Sequence, residues 1–331
     1  MNVLRSVCQL SVIASVLAAA VLGCSSSSSA TATGSDASST SDGCAAAASN
    51  AADAAIDVVV PAPPLHSCPT AVYKTLVIVG DSISDVGGNG PGQTPFYRTL
   101  LVQNDDAKYP DWKGIDLKTC WGLDATTQVV KVSKGGAIAT QGKKLGQSVL
   151  LDQVKSIPTT LAGPVLVVGT IGGNDATAGL VHVVANMPDA EQQDIADFAT
   201  GFGDAMTELT KPDRFGPGVK ADVLITNIYD PTGGNGDFTY APLSQSCGGM
   251  FAMWPDKQPT DGAVKMWNDA MTAQAAKFPS VHLLDMHAFF LGHQVDTPDP
   301  TNWFHDDCIH PNAVGQEAIR ELFWAAMLLL K

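Results

Sequence analysis

A serine at the end of an aliphatic run is the first residue in this chain whose setting points to chemistry. Leu76 to Val79 lead straight into Gly80-Asp81-Ser82-Ile83-Ser84. A serine hydroxyl is a weak nucleophile until a neighbouring base takes its proton, and that base needs a third group to hold its tautomer. Both partners are available near the C-terminus, in His305-Asp306-Asp307-Cys308-Ile309-His310-Pro311. Asp307 and His310 stand three residues apart, close enough for the carboxylate to reach the imidazole from one turn. Asp306 competes for the same role. Pro311 suits the entry to the last helix, because proline is pre-set for a first helical turn. Attack on a carbonyl also requires donors for the oxyanion. Glycine-rich turns let backbone N–H groups approach a ligand closely. Gly136 in SKGGAIAT and Asn174 in TIGGNDA are therefore candidate donors beside the Ser82 N–H, with Gly135 an alternative to Gly136.

These pieces are far apart in sequence, so a fold has to gather them. Strands are expected at 75–79, 128–133, 165–170, 221–228 and 281–285. They are short aliphatic or β-branched runs without strict alternation, the pattern of strands covered on both faces. Helices are expected between them, at 96–103, 148–156, 189–210, 261–277 and 312–330. In the last, Ala318, Ile319, Leu322, Phe323, Ala326, Met327 and Leu330 form one apolar stripe. Alternation of this kind implies right-handed crossovers and a mostly parallel, helix-sandwiched sheet. Ligands bind such sheets outside the carboxyl ends of the strands. Ser82 follows the first strand, Gly135 and Gly136 the second and Asn174 the third, so all lie on one edge.

At 331 residues, 45% hydrophobic and only 16% charged, the chain buries a sizeable core. A net charge of −14 without any Lys/Arg stripe argues against a nucleic-acid partner. Arg5 precedes an apolar run from Val7 to Leu22, which is short for a membrane span and fits a signal peptide over residues 1–23. Val21-Leu22-Gly23-Cys24 resembles a bacterial lipoprotein signal. That resemblance implies lipidation of Cys24, export to the cell envelope and membrane attachment through the lipid alone. Residues 24–69, rich in Ser, Ala, Thr and Pro, read as a tether, and 70–331 as the folded domain. Cys44, Cys68, Cys120, Cys247 and Cys308 then face an oxidising compartment, where one or two disulfides and one odd thiol are expected. Cys308 reads as a packed or disulfide-bonded brace of the loop that carries Asp307 and His310.

Gly80-Asp81-Ser82-Ile83-Ser84, the turn at Gly136, Gly172-Gly173-Asn174-Asp175 and Asp307-Cys308-Ile309-His310-Pro311 together resemble the four ordered blocks of the GDSL/SGNH hydrolases. Ile83 stands where the name motif has Leu, and the second block is the loosest match. The resemblance implies a three-layer α/β/α fold with a five-stranded parallel sheet, of flavodoxin-like type. It further implies a cofactor-free, metal-free serine esterase or lipase in which Ser82 is the nucleophile, His310 the base and Asp307 its partner, with Ser82, Gly136 and Asn174 as oxyanion donors. The expected substrates are short-to-medium acyl esters, of lipid or acetylated glycan, handled by a monomer. Two rivals are a cell-surface glycan-binding module that does not cleave, and a metal-dependent phosphohydrolase using Asp81, Asp85 and several histidines. His282, His287, His293, His305 and His310 crowd the last stretch of sequence, yet without the ligand spacing of HExxH. Residues 229–262 are long and glycine-rich, and are a candidate substrate-shaping loop. Phe96, Tyr97, Trp112, Trp121, Phe251 and Trp254 are candidate core anchors or pocket walls.

Overall fold

The computed structural model describes residues 66–85, 96–142, 147–237, 260–298 and 300–331. The signal segment, Cys24 and the tether up to residue 65 lie outside the described residues. So do Phe251, Trp254 and residues 238–259 of the long glycine-rich segment. The last four residues of the expected tether, 66–69, are fastened to the folded part. Cys68 is disulfide-bonded to Cys120, the Trp324 indole N–H donates to the Ser67 carbonyl at 3.0 Å, and the His66 ring lies 5.0 Å from that of Trp112.

Five strands, β1 (Thr75–Gly80), β2 (Val129–Lys131), β3 (Val165–Thr170), β4 (Ala221–Thr226) and β5 (Val281–Leu284), make one sheet in the order β2-β1-β3-β4-β5. Every neighbouring pair is parallel. The continuous aliphatic runs are explained by two cores. Leu76 and Ile78 of β1, with Leu166 and Val168 of β3, face one core. Val77, Val79, Val165 and Val167 face the other. No polar face remains on the central strands, because helices cover both sides. One side carries α2 (Tyr97–Val102), α3 (Leu117–Trp121), α8 (Met286–Phe290) and α9 (Ala313–Leu329); the other carries α4 (Leu150–Ser156), α6 (Pro188–Thr210) and α7 (Asp261–Ala275). Two further helices, α1 (Ser82–Asp85) and α5 (Gly173–Val184), begin within three residues of the ends of β1 and β3.

The helix α5 departs from the sequence expectation, which places no helix between 170 and 189. The turn is confined to Gly172, whose φ of 105° is open to glycine at little cost, and the chain is helical from Gly173. Ala176, Leu180 and Val183, spaced i, i+4 and i+7, carried the signal; the paired glycines and the missing cap obscured it.

From β1 the chain steps outward to β2 and then returns past β1 to β3. The crevice created by this reversal opens between the carboxyl ends of β1 and β3. Gly80 closes β1 there with φ 109°, and a β-carbon on it would lie 1.9 Å from the Thr170 carbonyl oxygen. The Gln153 side chain clamps both sides of Gly80: its Oε1 accepts from the Gly80 N–H at 2.8 Å and its Nε2 donates to the Gly80 carbonyl at 2.9 Å. Gly80→Ala should therefore destabilise the protein by about 3 kcal/mol or more, from left-handed strain plus the collision. A thermal melt followed by circular dichroism should show a loss of roughly 6–12 °C. An unchanged midpoint would mean that the β1–β3 contact at Gly80 is looser than described.

Candidate active site

Ser82 is the first residue of α1, immediately beyond β1. Its Oγ lies 2.8 Å from His310 Nε2, and His310 Nδ1 lies 2.6 Å from Asp307 Oδ2. With the carboxylate accepting from Nδ1–H, Nε2 is left as the acceptor for the serine hydroxyl. The structure thus brings together three residues that span 228 positions of sequence. Of the two neighbouring acids it is Asp307, not Asp306, that is placed against His310.

The loop carrying the acid and base is built to hold one shape. Asp307 Oδ1 accepts from the Ile309 and His310 backbone N–H groups at 3.0 and 2.9 Å, so the carboxylate organises its own turn while the other oxygen holds the imidazole. Cys308, inside that turn, takes φ 59°, a conformation rarely adopted by a non-glycine residue. It is fully buried and disulfide-bonded, as expected of a brace. The Tyr229 hydroxyl, reaching from the end of β4, donates to the Ile309 carbonyl. The loop closes as a hairpin, with His305 N–H donating to the His310 carbonyl and Asn312 N–H to the Trp303 carbonyl, both at 2.8 Å. Asn312 then caps α9, its Oδ1 accepting from the Val314 and Gly315 N–H groups at 3.0 Å. The apolar stripe of α9 anchors the hairpin to the sheet.

Electrostatics follow from this geometry. Partial burial alone would raise the Asp307 carboxyl, but the hydrogen bond and charge of His310 and two backbone N–H groups outweigh it and hold the carboxyl at about 2. Burial alone would lower the His310 imidazole; the hydrogen bond and charge of Asp307, with a further contribution from Asp81, raise it above the ordinary histidine value. Asp81 is only 3% exposed, and desolvation pushes it up to about 6 even though Thr170 and the Ile83 N–H donate to it. Thr170 Oγ1 donates to Asp81 Oδ1 at 2.7 Å and is 2.9 Å from Ser84 Oγ, which in turn meets the Tyr97 hydroxyl at 2.7 Å. This buried chain of four polar side chains fixes the turn behind Ser82.

The two glycine-bearing motifs are stitched to each other. Asn174 Nδ2 donates to the Ala137 carbonyl at 2.9 Å, which leaves its second N–H for another acceptor. Asp175 accepts from the Ala139 N–H, the Thr140 N–H and the Thr140 hydroxyl at 2.9, 2.9 and 2.7 Å. The Gly135–Gly136 turn sits beside the nucleophile: a β-carbon on Gly135 would lie 3.9 Å from Ser82 Cβ. Of the two glycines, Gly135 already gives its N–H to Asp85 Oδ2 at 2.8 Å.

Asp81 and Asp85 do not converge as a metal pair would. Asp81 is engaged by Thr170 and Ile83, Asp85 by Lys131 and Gly135. The C-terminal histidines are dispersed as well: His282 pairs with Asp222 at 3.9 Å and His293 stacks on Trp303 at 3.5 Å. Among the described residues no group of three or more His, Cys, Asp or Glu side chains is arranged to hold a metal ion. Tyr97 and Trp112, candidates for core anchors or pocket walls, are core residues; Tyr97 stacks on Phe323, and Trp112 meets the edge of Trp324. Gln153, Tyr229 and Thr170 brace this arrangement and have no sequence signal beyond their polarity inside or beside apolar runs; Asp85 and Asp175 stand in motifs read from the sequence, but not as braces.

The fold and this site together define an α/β protein of one five-stranded parallel sheet, with its polar constellation at the strand-order reversal. The chain belongs to the GDSL-like lipase/acylhydrolase family, whose model matches residues 76–323. Among solved structures, it is similar to a lipase from a goat rumen metagenome (14% identity, TM-score 0.46, covering 76% of this chain and 97% of that one). It is also similar to an acetylxylan esterase from Geobacillus stearothermophilus (16% identity, TM-score 0.44, 79% and 96%) and to phospholipase A1 from Streptomyces albidoflavus NA297 (18% identity, TM-score 0.44, 75% and 96%). No functionally curated protein matches the sequence. Family membership makes ester hydrolysis the activity class.

Proposed function

We propose that this protein is a serine-dependent carboxylic ester hydrolase, and that Ser82, His310 and Asp307 are its catalytic residues. The observation that carries the reading is the continuous pair of hydrogen bonds, 2.8 Å from Ser82 Oγ to His310 Nε2 and 2.6 Å from His310 Nδ1 to Asp307 Oδ2. In the first step Ser82 Oγ attacks the ester carbonyl carbon while its proton passes to His310 Nε2. The imidazolium is stabilised by Asp307, which stays ionised because its carboxyl sits far below neutral pH. The negative oxygen of the tetrahedral intermediate is held by the Ser82 N–H, the Gly136 N–H and the second Asn174 N–H. His310 returns the proton to the departing alkoxide, the C–O bond breaks and an acyl-Ser82 remains. A water molecule, deprotonated by His310, then releases the acid and restores the hydroxyl. Short-to-medium acyl esters, of lipid or acetylated glycan, are the proposed substrates.

The test is labelling of the purified protein with a fluorophosphonate, followed by mass mapping and a panel of p-nitrophenyl esters from C2 to C8. The label should sit on Ser82 and abolish turnover of every hydrolysed member of the panel. Turnover that survives complete labelling of Ser82, or a label found elsewhere, would overturn the reading.

A further inference from the structure

The nucleophile has a second acidic neighbour on its own turn. Asp85 lies three residues after Ser82, at the end of α1, and its two carboxylate oxygens are divided between two partners from beyond β1. Oδ1 pairs with the Lys131 ammonium at the end of β2, and Oδ2 accepts the Gly135 N–H at 2.8 Å. The Asp85 carbonyl in turn accepts from the Arg98 guanidinium at 2.8 Å. None of these bonds is needed to connect Ser82 with His310 and Asp307.

What they hold is a peptide orientation. The Ala137 N–H donates to the Lys134 carbonyl at 3.1 Å, which closes a four-residue turn with Gly135 and Gly136 at its centre. Gly136 has φ 74°, whereas Gly135 is not in the left-handed region. That combination is a type II turn, and it differs from type I by a flip of the peptide that joins the two central residues. The N–H on that peptide belongs to Gly136. With glycine at both central positions, no β-carbon opposes the flip, which would swing the Gly136 N–H away from the side it now faces. The carboxyl end of the turn is tied by Asn174 to the Ala137 carbonyl. The amino end is tied by Asp85 to the Gly135 N–H.

We propose that Asp85 is a positioning residue for the oxyanion site, and that its bond to Gly135 holds the Gly136 N–H in the orientation that receives the developing negative charge. This rests on the serine-esterase reading above and goes beyond it. The residue that orients the oxyanion donor thereby sits on the same helical turn as the nucleophile, so that the two groups keep their spacing as the site works. Lys131 holds the carboxylate in place through its ammonium.

The experiment is steady-state kinetics on p-nitrophenyl butyrate with variants at Asp85, Lys131 and Asn174. Asp85→Ala should lower kcat by about 10²-fold, approaching the cost of losing one oxyanion donor, with KM within about twofold of the parent and the pH midpoint unmoved. Asp85→Asn, which keeps an acceptor for the Gly135 N–H, should recover to within about tenfold of the parent. Lys131→Met should cost less than Asp85→Ala, because the Gly135 bond survives it. Asn174→Ala sets the scale, as the loss of a donor that touches the oxyanion directly. If Asp85→Ala does not fold, Asp85→Glu decides: the charge and the lysine pair remain but the acceptor is displaced, and kcat should fall at least about tenfold at constant KM. Parental kcat in Asp85→Ala or Asp85→Glu would overturn the proposal, as would an effect confined to KM, or a Lys131→Met loss equal to that of Asp85→Ala. Failure of the esterase reading is distinguishable, because then Ser82→Ala would itself stay active.

Discussion

Ser82→Ala should reduce the turnover of p-nitrophenyl acetate and butyrate by about 10⁴–10⁶-fold while leaving the fold intact. The substitution removes one oxygen atom, and that oxygen's recorded hydrogen bond is to His310 Nε2. The turn itself does not depend on it. Asp81, Thr170, Ser84 and Tyr97 hold the backbone from behind, and the Gln153 amide holds Gly80. The near-ultraviolet circular dichroism spectrum and the melting temperature should therefore match those of the parent. Residual catalysis over water is expected, because the Gly136 and Asn174 donors would still bind a developing oxyanion. The measurement is kcat of the purified variant at alkaline pH, after correction for contaminating host esterases. A variant that turns over within tenfold of the parent would remove Ser82 from the mechanism and, with it, any nucleophilic role for the strand-end serine.

The centre of the sheet was legible because β1 and β3 are buried on both faces. A run such as Leu76-Val77-Ile78-Val79 admits no solvent-facing position, and each such run coincides with an observed strand to within a few residues. The strand order was not legible in the same way. Nothing local tells β3 to pair with β1 instead of β2; that choice follows from how the helices pack on the two faces. The helix α5 was missed because Gly172 and Gly173 read as a turn, and glycine before a short helix hides its start.

Asp307 and His310 were legible from their three-residue spacing ahead of the last helix, and Ser82 for a reason related to the sheet. A parallel sheet delivers all its strand ends to one edge, so motifs at strand ends meet there whatever their separation in sequence. The supports follow no such rule. Gln153 is 73 residues from Gly80, Tyr229 is 80 from Ile309, and Asp175 is 35 from Thr140. Each bonds to a partner decided by tertiary packing, and a lone Gln, Tyr or Asp carries no periodic signature. Asp85 is the instructive case. From sequence it invites a metal-ligand reading beside Asp81, yet the two side chains leave the turn in different directions, one toward Thr170 and one toward Lys131 and Gly135. Proximity in sequence misled where the turn geometry separated them.

Asp307→Asn carries the second large effect, and its sign can be worked through. In the parent, the Asp307 carboxylate accepts from His310 Nδ1–H, which leaves Nε2 unprotonated toward Ser82. An asparagine that presents its amide N–H instead would donate to Nδ1 and favour the tautomer with the proton on Nε2. That tautomer cannot take the serine proton, so kcat should fall by about 10⁴-fold although the three side chains still touch. The pH profile supplies an independent readout. The parent needs neutral His310, so kcat/KM should rise with pH through the His310 midpoint and be lost as pH falls below it. That midpoint lies above the ordinary histidine value because Asp307, and to a lesser degree Asp81, favour the imidazolium. Removing the negative charge at 307 takes away the larger contribution, so the residual activity of Asp307→Asn should persist to lower pH than that of the parent. Asp81 remains charged near neutrality and limits the shift. The measurement is kcat/KM from pH 5 to 9 for both proteins on one short-chain ester. A variant with parental kcat, or with a midpoint moved upward, would show that the acid holding the imidazole is some other group than residue 307.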